Sequence, residues 1–246
     1  MGTPGSAKSG CAVIIGGSGG IGEACGRRLS ARGYDVVLVA RDPTRLAQAA
    51  MRIGSARWRA ADCGDAGEVA KAFEGLGPIA VLLHTAGIRE GAPVSSQSVS
   101  VLDALYESHI RSAFLTIKAA LPEMSEGSRI ILMSSVAARR PVPGLSGYCA
   151  MKAALGMFAR SLSMELEERR IGVYLVAPGQ VDTPLLVKRW HCLQSDDVAH
   201  AVEFLSTVDS TLKIREFDIR SVTSGPHAPP LSGPPDGPIG VALVAR

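Results

Sequence analysis

The sequence predicts a doubly wound α/β fold: one parallel sheet, in a single domain, with helices packed on both faces. Three observations predict it. Short apolar runs alternate with stretches of helical character from residue 12 to about residue 219. The runs are apolar at nearly every position, as strands buried on both faces are. The first run passes through a glycine-rich turn directly into a helix. The chain has 246 residues, a length that α/β folds reach as one unit. No repeat and no interior linker divides it, so residues 1–224 are read as one domain. Hydrophobic residues make up 46% and aromatics only 4%, so the core must be aliphatic and rich in alanine.

The elements follow in order. Ala12–Ile15 is the first strand, and the helix after the glycine-rich turn runs from about Ile21 to Arg32, closed by Gly33. Asp35–Ala40 (Asp-Val-Val-Leu-Val-Ala) is the second strand. Pro43 opens the next helix, to about Ile53, because proline fits the first helical position. Ala56–Ala60 is a weaker strand, Ala66–Glu74 a short helix and Ile79–His84 a strong strand. A long helix runs from Val101 to about Met124, interrupted near Pro122. Arg129–Ser134 is a strand, Tyr148–Arg169 a long helix and Ile171–Ala177 a strand. Ser195 reads as the N-cap of a helix to Ser206 with acids in its first turn. Glu216–Ile219 reads as an edge strand. Residues 225–246 are dense in proline and glycine, lack periodicity and are expected to be a disordered tail. In such a sheet crossovers are right-handed, and ligands sit beyond the carboxyl ends of the strands.

Composition excludes several function classes. A net charge of +3 with no long Lys/Arg run argues against nucleic acid and against an anionic membrane surface. No apolar run is long enough to cross a bilayer, and Met1–Gly10 has no apolar signal core. Cys11, Cys25, Cys63, Cys149 and Cys192 are odd in number and form no Cys-x-x-Cys pair, which reads as reduced thiols. A cytoplasmic protein is expected. The histidines show no metal-ligand spacing, so no metal is expected.

Ile15-Gly16-Gly17-Ser18-Gly19-Gly20-Ile21-Gly22 joins the first strand to the first helix. A pyrophosphate needs free backbone N–H groups at a helix N-terminus with no side chains in the way. Glycines supply that approach and the positive φ of a tight turn. Which dinucleotide binds is decided at the end of the second strand: an acid there binds the ribose 2′-hydroxyl, whereas an arginine accommodates a 2′-phosphate. The chain has Ala40 and then Arg41, with Asp42 following. Charge-assisted bonds from Arg41 are worth about 1.5–3 kcal/mol each, roughly a tenfold preference for NADP(H).

Tyr148 and Lys152 are four apart at the start of a long helix and share one face. A tyrosine is a poor base with its ordinary pKa of about 10. A neighbouring ammonium favours the phenolate and lowers that value, so the pair could exchange a proton with an alcohol or carbonyl oxygen while a hydride moves to or from the cofactor. Ser135, with Ser134 beside it, lies at the carboxyl end of a strong strand. Its hydroxyl could hold the substrate oxygen in line.

Together these pieces resemble the short-chain dehydrogenase/reductase family over residues 11–219. The family's Thr-Gly-x-x-x-Gly-x-Gly turn matches Gly16, Gly20 and Gly22, with Ile15 in place of the threonine, and its Tyr-x-x-x-Lys matches Tyr148 and Lys152. Its serine, thirteen positions before the tyrosine, falls on Ser135 rather than Ser134. The resemblance implies a Rossmann-type fold, NADP(H) as cofactor and a small-molecule carbonyl or alcohol substrate. It implies Ser135, Tyr148 and Lys152 as catalytic residues. Around the cofactor it implies Gly16, Ser18, Gly19, Gly20, Ile21 and Gly22 at the turn, and Arg41, Asp62 and Cys63 toward the adenosine. Ala86, Gly87, Pro178, Gly179, Val181 and Thr183 would stand toward the nicotinamide, with Tyr148 and Lys152. It also implies a homo-dimer or homo-tetramer built on the helices that hold His109 and Tyr148.

Two departures stand out. The family's Asn-Asn-Ala-Gly reads His84-Thr85-Ala86-Gly87, and its helix asparagine is His109. The covering segment Leu185–Gln194 is short for the family. The competing reading is a non-catalytic NADP(H)-binding module that reports redox state to a partner; His109 favours it, while the intact Ser135, Tyr148 and Lys152 oppose it. A methyltransferase with a related glycine loop is opposed by Arg41 and by the Tyr148/Lys152 pair.

Overall fold

The structure, a computed structural model, describes residues 10–183, 192–209, 216–221 and 241–245. The strands are β1 (Cys11–Ile15), β2 (Asp35–Ala40), β3 (Arg57–Ala60), β4 (Ile79–His84), β5 (Arg129–Met133), β6 (Gly172–Pro178), β7 (Glu216–Ser221) and β8 (Val241–Ala245). They form one sheet in the order β3-β2-β1-β4-β5-β6-β7-β8. Neighbours from β3 through β7 pair in parallel, and β8 runs antiparallel to β7. The helices are α1 (Gly20–Ala31), α2 (Pro43–Ile53), α3 (Ala66–Phe73), α4 (Val99–Tyr106), α5 (Ser112–Ala120), α6 (Ser146–Glu165) and α7 (Ser195–Thr207). The predicted doubly wound parallel sheet is therefore the observed one.

Strand alternation divides the core into two layers. Ala12 and Ile14 of β1 pack with Leu29 of α1, Leu46 of α2 and Val202 of α7 on one face. Cys11, Val13 and Ile15 pack with Val69 of α3, Ile117 of α5 and Leu155 of α6 on the other. By the same alternation Val81 and Leu83 of β4 face the first layer and Leu82 the second, which turns His84 toward α5 and α6. Arg28 of α1 pairs with Asp196 and Glu203 of α7 at 2.6 and 2.9 Å, clamping the outer helices of the first layer together. No helix among the described residues is long and apolar enough to cross a membrane.

Four local features differ from the sequence reading. The long helix is broken at a π turn, Glu107–Arg111, between α4 and α5. Such wider turns occur as single-turn bulges inside α-helices, frequently at functional sites. Ser195 is the first residue of α7 and not its cap: Gln194 caps it, in a capping box with Asp197. Glu216–Ile219, read as an edge strand, lies in β7, which β8 covers, and the edges of the sheet are β8 and the exposed β3. Finally, Val241–Ala245, inside the tail expected to be disordered, is strand β8. Its Val-Ala-Leu-Val-Ala run carries no proline or glycine, and β7 offers it a free edge. The rest of the tail lies outside the described residues.

The topology positions the site. β1 leads outward to β2 and β3, then the chain returns to β4 beside β1. The connections leaving β1 and β4 thus diverge, and the crevice between them is where such sheets bind ligands.

Candidate active site

The glycine-rich turn is shaped by steric limits. Gly16 adopts a φ of +81°, and a Cβ on it would lie 2.7 Å from the Ala86 backbone nitrogen. A Cβ on Gly22 would lie 2.4 Å from the Gly16 carbonyl oxygen. Gly19 is the N-cap of α1, so the first backbone N–H groups of the helix open into the crevice. The crevice is a groove of about 450 Å³. Gly16, Ser18, Gly19, Gly20, Ile21, Gly22, Arg41, Asp62, Cys63, Ala86, Gly87 and Thr183 all line it. A dinucleotide's pyrophosphate fits this cradle because the positions a Cβ would fill are left clear.

At the end of β2 the two candidate residues separate. Asp42 accepts a hydrogen bond from Arg45 N at 3.0 Å and caps α2, so its carboxylate is committed to the helix. Arg41, Asp42 and Arg45 all line the groove, and the Arg45 guanidinium donates to Ser18 O at 3.2 Å. Arg45 was not singled out in the sequence. Its signal was its place in the first turn of α2, where cations are unusual. Asp62 accepts from Gly64 N at 2.9 Å, and burial pushes the Cys63 thiol up to about 12.

Ser135, Tyr148 and Lys152 converge beyond the carboxyl end of β5. Ser134 is buried, and its hydroxyl reaches the Lys152 carbonyl at 3.5 Å. Ser135 accepts from Ala137 N at 3.2 Å and interacts with the Tyr148 hydroxyl. The structure thus separates the two serines as the sequence spacing does. Lys152 is buried, donates to Met133 O at 2.8 Å and lies 5.7 Å from the Tyr148 ring centroid. That distance is within cation–π range. Burial lowers the lysine to about 7.

The sequence reading expects a tyrosine pulled down by this lysine. In the structure the Tyr148 pKa is raised, because burial outweighs the lowering by Ser135 and Arg89. Desolvation disfavours the phenolate, and a lysine lowered to about 7 carries only part of its charge at neutral pH.

His109 joins the two ends of the site. It is the buried residue of the π turn. Its ring meets Tyr148 edge-on, with centroids 5.6 Å apart. On its other side a Cβ on Gly87 would lie 2.2 Å from His109 Cε1. Gly87 therefore has a second reason to be glycine, which sequence reasoning missed. Pro178, Gly179 and Val181 lie off the groove proper. Gly179 N donates to Ile219 O at 2.7 Å, and Val181 bridges to Leu193. Arg139, just past Ser135, pairs with Glu216 and Asp218 of β7, anchoring the loop after β5. Of the covering segment Leu185–Gln194, residues 185–191 lie outside the described residues.

Comparison with known proteins agrees with this geometry. The family model for short chain dehydrogenases matches residues 10–192. An uncharacterized oxidoreductase from Staphylococcus epidermidis is 30% identical over 226 residues, covering 87% of this chain and 98% of that protein. Carbonyl reductase family member 4 from Danio rerio is 35% identical over 182 residues, covering 71% and 76%. The crystal structure of a 3-ketoacyl-(acyl-carrier-protein) reductase from Brucella melitensis complexed with NADH superposes with a TM-score of 0.80 at 25% identity, over 87% of this chain and 97% of that one. With its sheet order, its glycine cradle and its Ser135–Tyr148–Lys152 cluster, the chain belongs to the short-chain dehydrogenase/reductase family of oxidoreductases.

Proposed function

We propose that this protein interconverts a carbonyl and an alcohol using NADP(H), with Tyr148 as the acid/base. The observation that carries this reading is the seating of Ser135, Tyr148 and Lys152 one histidine ring away from a groove whose far end holds two arginines. NADP(H) bound in that groove supplies or takes up the hydride.

The N-terminus of α1 and the glycines Gly16, Gly19, Gly20 and Gly22, with Ser18 and Ile21, hold the pyrophosphate. Arg41 and Arg45 hold the 2′-phosphate. Asp62 and Cys63 stand at the adenosine, while Ala86, Gly87, Pro178, Gly179, Val181 and Thr183 stand toward the nicotinamide. Tyr148 gives its proton to the carbonyl oxygen in reduction and receives it back in oxidation. Ser135 donates a hydrogen bond to the same oxygen. Lys152 opposes the desolvation of the Tyr148 phenolate. The partly exposed apolar side chains Tyr106, Phe114 and Met157 on α4, α5 and α6 support a homo-oligomer packed through these helices.

Fluorescence titration of the purified protein with NADPH and with NADH tests the cofactor reading. Tighter NADPH binding, lost in Arg41→Asp, is the expected result. Equal or tighter NADH binding makes Arg41 a surface charge and NADH the cofactor, and binding of neither overturns the enzyme reading.

A further inference from the structure

β7 has two unlike faces. Phe217 and Ile219 belong to the first core layer, where the Phe217 ring meets Phe204 of α7 with centroids 5.8 Å apart. Glu216, Asp218 and Arg220 alternate with them and so face the other way. Glu216 and Asp218 are nonetheless only 8% and 3% exposed. Carboxylates withdrawn from water to that degree need cationic partners. The Arg139 guanidinium spans the two, with Nη1 on Glu216 and Nη2 on Asp218. The second Glu216 oxygen faces Arg160 of α6 at 3.6 Å, and the second Asp218 oxygen accepts from Arg220 at 2.7 Å. The result is a line of alternating charge: Arg160, Glu216, Arg139, Asp218, Arg220.

This line touches three carriers of the reacting end. Arg139 lies four positions past Ser135. The stretch between them is a 3-10 turn, Val136–Ala138. Ala138 N donates to Ser135 O at 3.0 Å and Arg139 N to Val136 O at 3.1 Å. Arg160 lies eight positions past Lys152 on α6, about two helical turns. Arg220 packs beside the turn after β6. A Cβ on Gly179 would lie 3.9 Å from Arg220 Cγ, and Gly179 N donates to Ile219 O at 2.7 Å.

We propose that Glu216 and Asp218 of β7 are positioning residues for Ser135: through Arg139 they fix the turn that carries it relative to α6, which carries Tyr148 and Lys152. This rests on the reading of Ser135 and Tyr148 as the groups that meet the substrate oxygen. Two bonds from one planar guanidinium set its orientation as well as its distance. A buried ion pair adds little stability over apolar packing of the same volume, so what this line supplies is position. Position matters at this place, because a misplacement of about 1 Å can cost about 10²-fold in rate.

Hydrogen exchange of the full-length protein, without added cofactor, reads the turn directly. In Asp218→Asn the backbone amides from Ala137 to Arg140 are expected to exchange about tenfold faster, the scale of one hydrogen bond to a charged group. Phe217→Leu, on the opposite face of β7, is expected to lower the melting temperature and leave those amides unchanged. Turnover with NADPH and a carbonyl substrate is then counted per bound NADPH. Asp218→Asn is expected to lower kcat and kcat/KM alike by about 10–100-fold, with NADPH affinity unchanged. Arg139→Lys keeps the charge and loses the fork, so its loss is smaller, and it carries the test if Asp218→Asn does not fold. Unchanged amides in the turn overturn the proposal. So does a loss of activity that only follows the fraction of protein able to bind NADPH, since the line is then a structural prop. Because exchange is read without nucleotide, failure of the NADP(H) reading, seen as no NADPH bound by the unsubstituted protein, is told apart from failure of this one.

Discussion

The nucleotide end and the reacting end of this site are built by opposite means. At the nucleotide end the walls are backbone, and what matters is the absence of atoms: a Cβ on Gly22 would meet the Gly16 carbonyl at 2.4 Å. At the reacting end the walls are buried polar side chains, and what matters is their presence: His84, His109 and Lys152 are each 5% exposed or less. The first kind of site is sensitive to added volume, the second to lost hydrogen bonds and altered charge. His109 belongs to both, since its ring fills the space that Gly87 leaves and touches Tyr148.

The largest effect should come from the reacting end. Tyr148→Phe removes one oxygen and no volume from the groove. Turnover with NADPH and a carbonyl substrate is expected to fall by about 10²–10⁴-fold, the usual worth of a positioned acid/base. NADPH affinity and melting temperature should hold. Retained turnover would take the acid/base role away from Tyr148, and NADPH binding without turnover in the unsubstituted protein would leave the binding module as the better reading. Gly22→Ala is the mirror experiment. The added methyl meets backbone that cannot rotate away, and overpacking of this kind costs about 1–3 kcal/mol. NADPH titration and thermal denaturation should both register the loss. An unchanged affinity would show that the cradle is not sterically defined.

The same contrast explains what the sequence disclosed. Gly16, Gly20 and Gly22 were legible because a steric requirement is written at the position that meets it. Tyr148 and Lys152 were legible because a helix places residues four apart on one face. The core strands β1, β2, β4, β5 and β6 were legible because two-sided burial leaves an unbroken apolar run. What escaped depends on distant partners. The depressed Lys152 and the raised Tyr148 follow from burial, which the assembled layers create. The π turn is a local widening that a helical period of 3.6 does not specify, and it carries His109. The place of Arg45 in the groove follows from the first turn of α2, which Asp42 caps, and Gln194 displaced Ser195 as a cap because Asp197 completes a reciprocal pair with it.

An intermediate effect is expected at the two arginines. Arg41→Ala and Arg45→Ala each remove a cation from the groove, and each should weaken NADPH binding by about tenfold, one charge-assisted bond. NADH binding should change little, since it lacks the 2′-phosphate. Fluorescence titration of both nucleotides checks this, and an equal loss for NADPH and NADH would assign the arginines to the pyrophosphate instead.

The last effect is a slope, and it separates the two ends by pH. His84 and His109 are held at about 3 in the folded chain against an ordinary 6.5. Between these values the unfolded chain binds protons that the folded chain refuses. The stability they contribute is therefore full above about 6.5 and falls as pH drops toward about 3. Lys152 has the same sign in a higher window, from an ordinary 10.5 down to about 7. Each group changes stability by at most about 1.4 kcal/mol per pH unit. The carboxylates of Glu23, Asp196 and Glu203 are lowered by their arginine partners from ordinary values of 4.5, 3.8 and 4.5, so their acid loss comes at lower pH. Melting temperatures measured from about pH 7 to about pH 5 thus fall in the window where the histidines dominate. His109→Gln should flatten that slope, while Gly22→Ala should lower the whole curve and leave its slope unchanged. If both variants shift the curve in parallel, the buried histidines are not the source of the acid sensitivity, and the reacting end is held together by packing as the nucleotide end is.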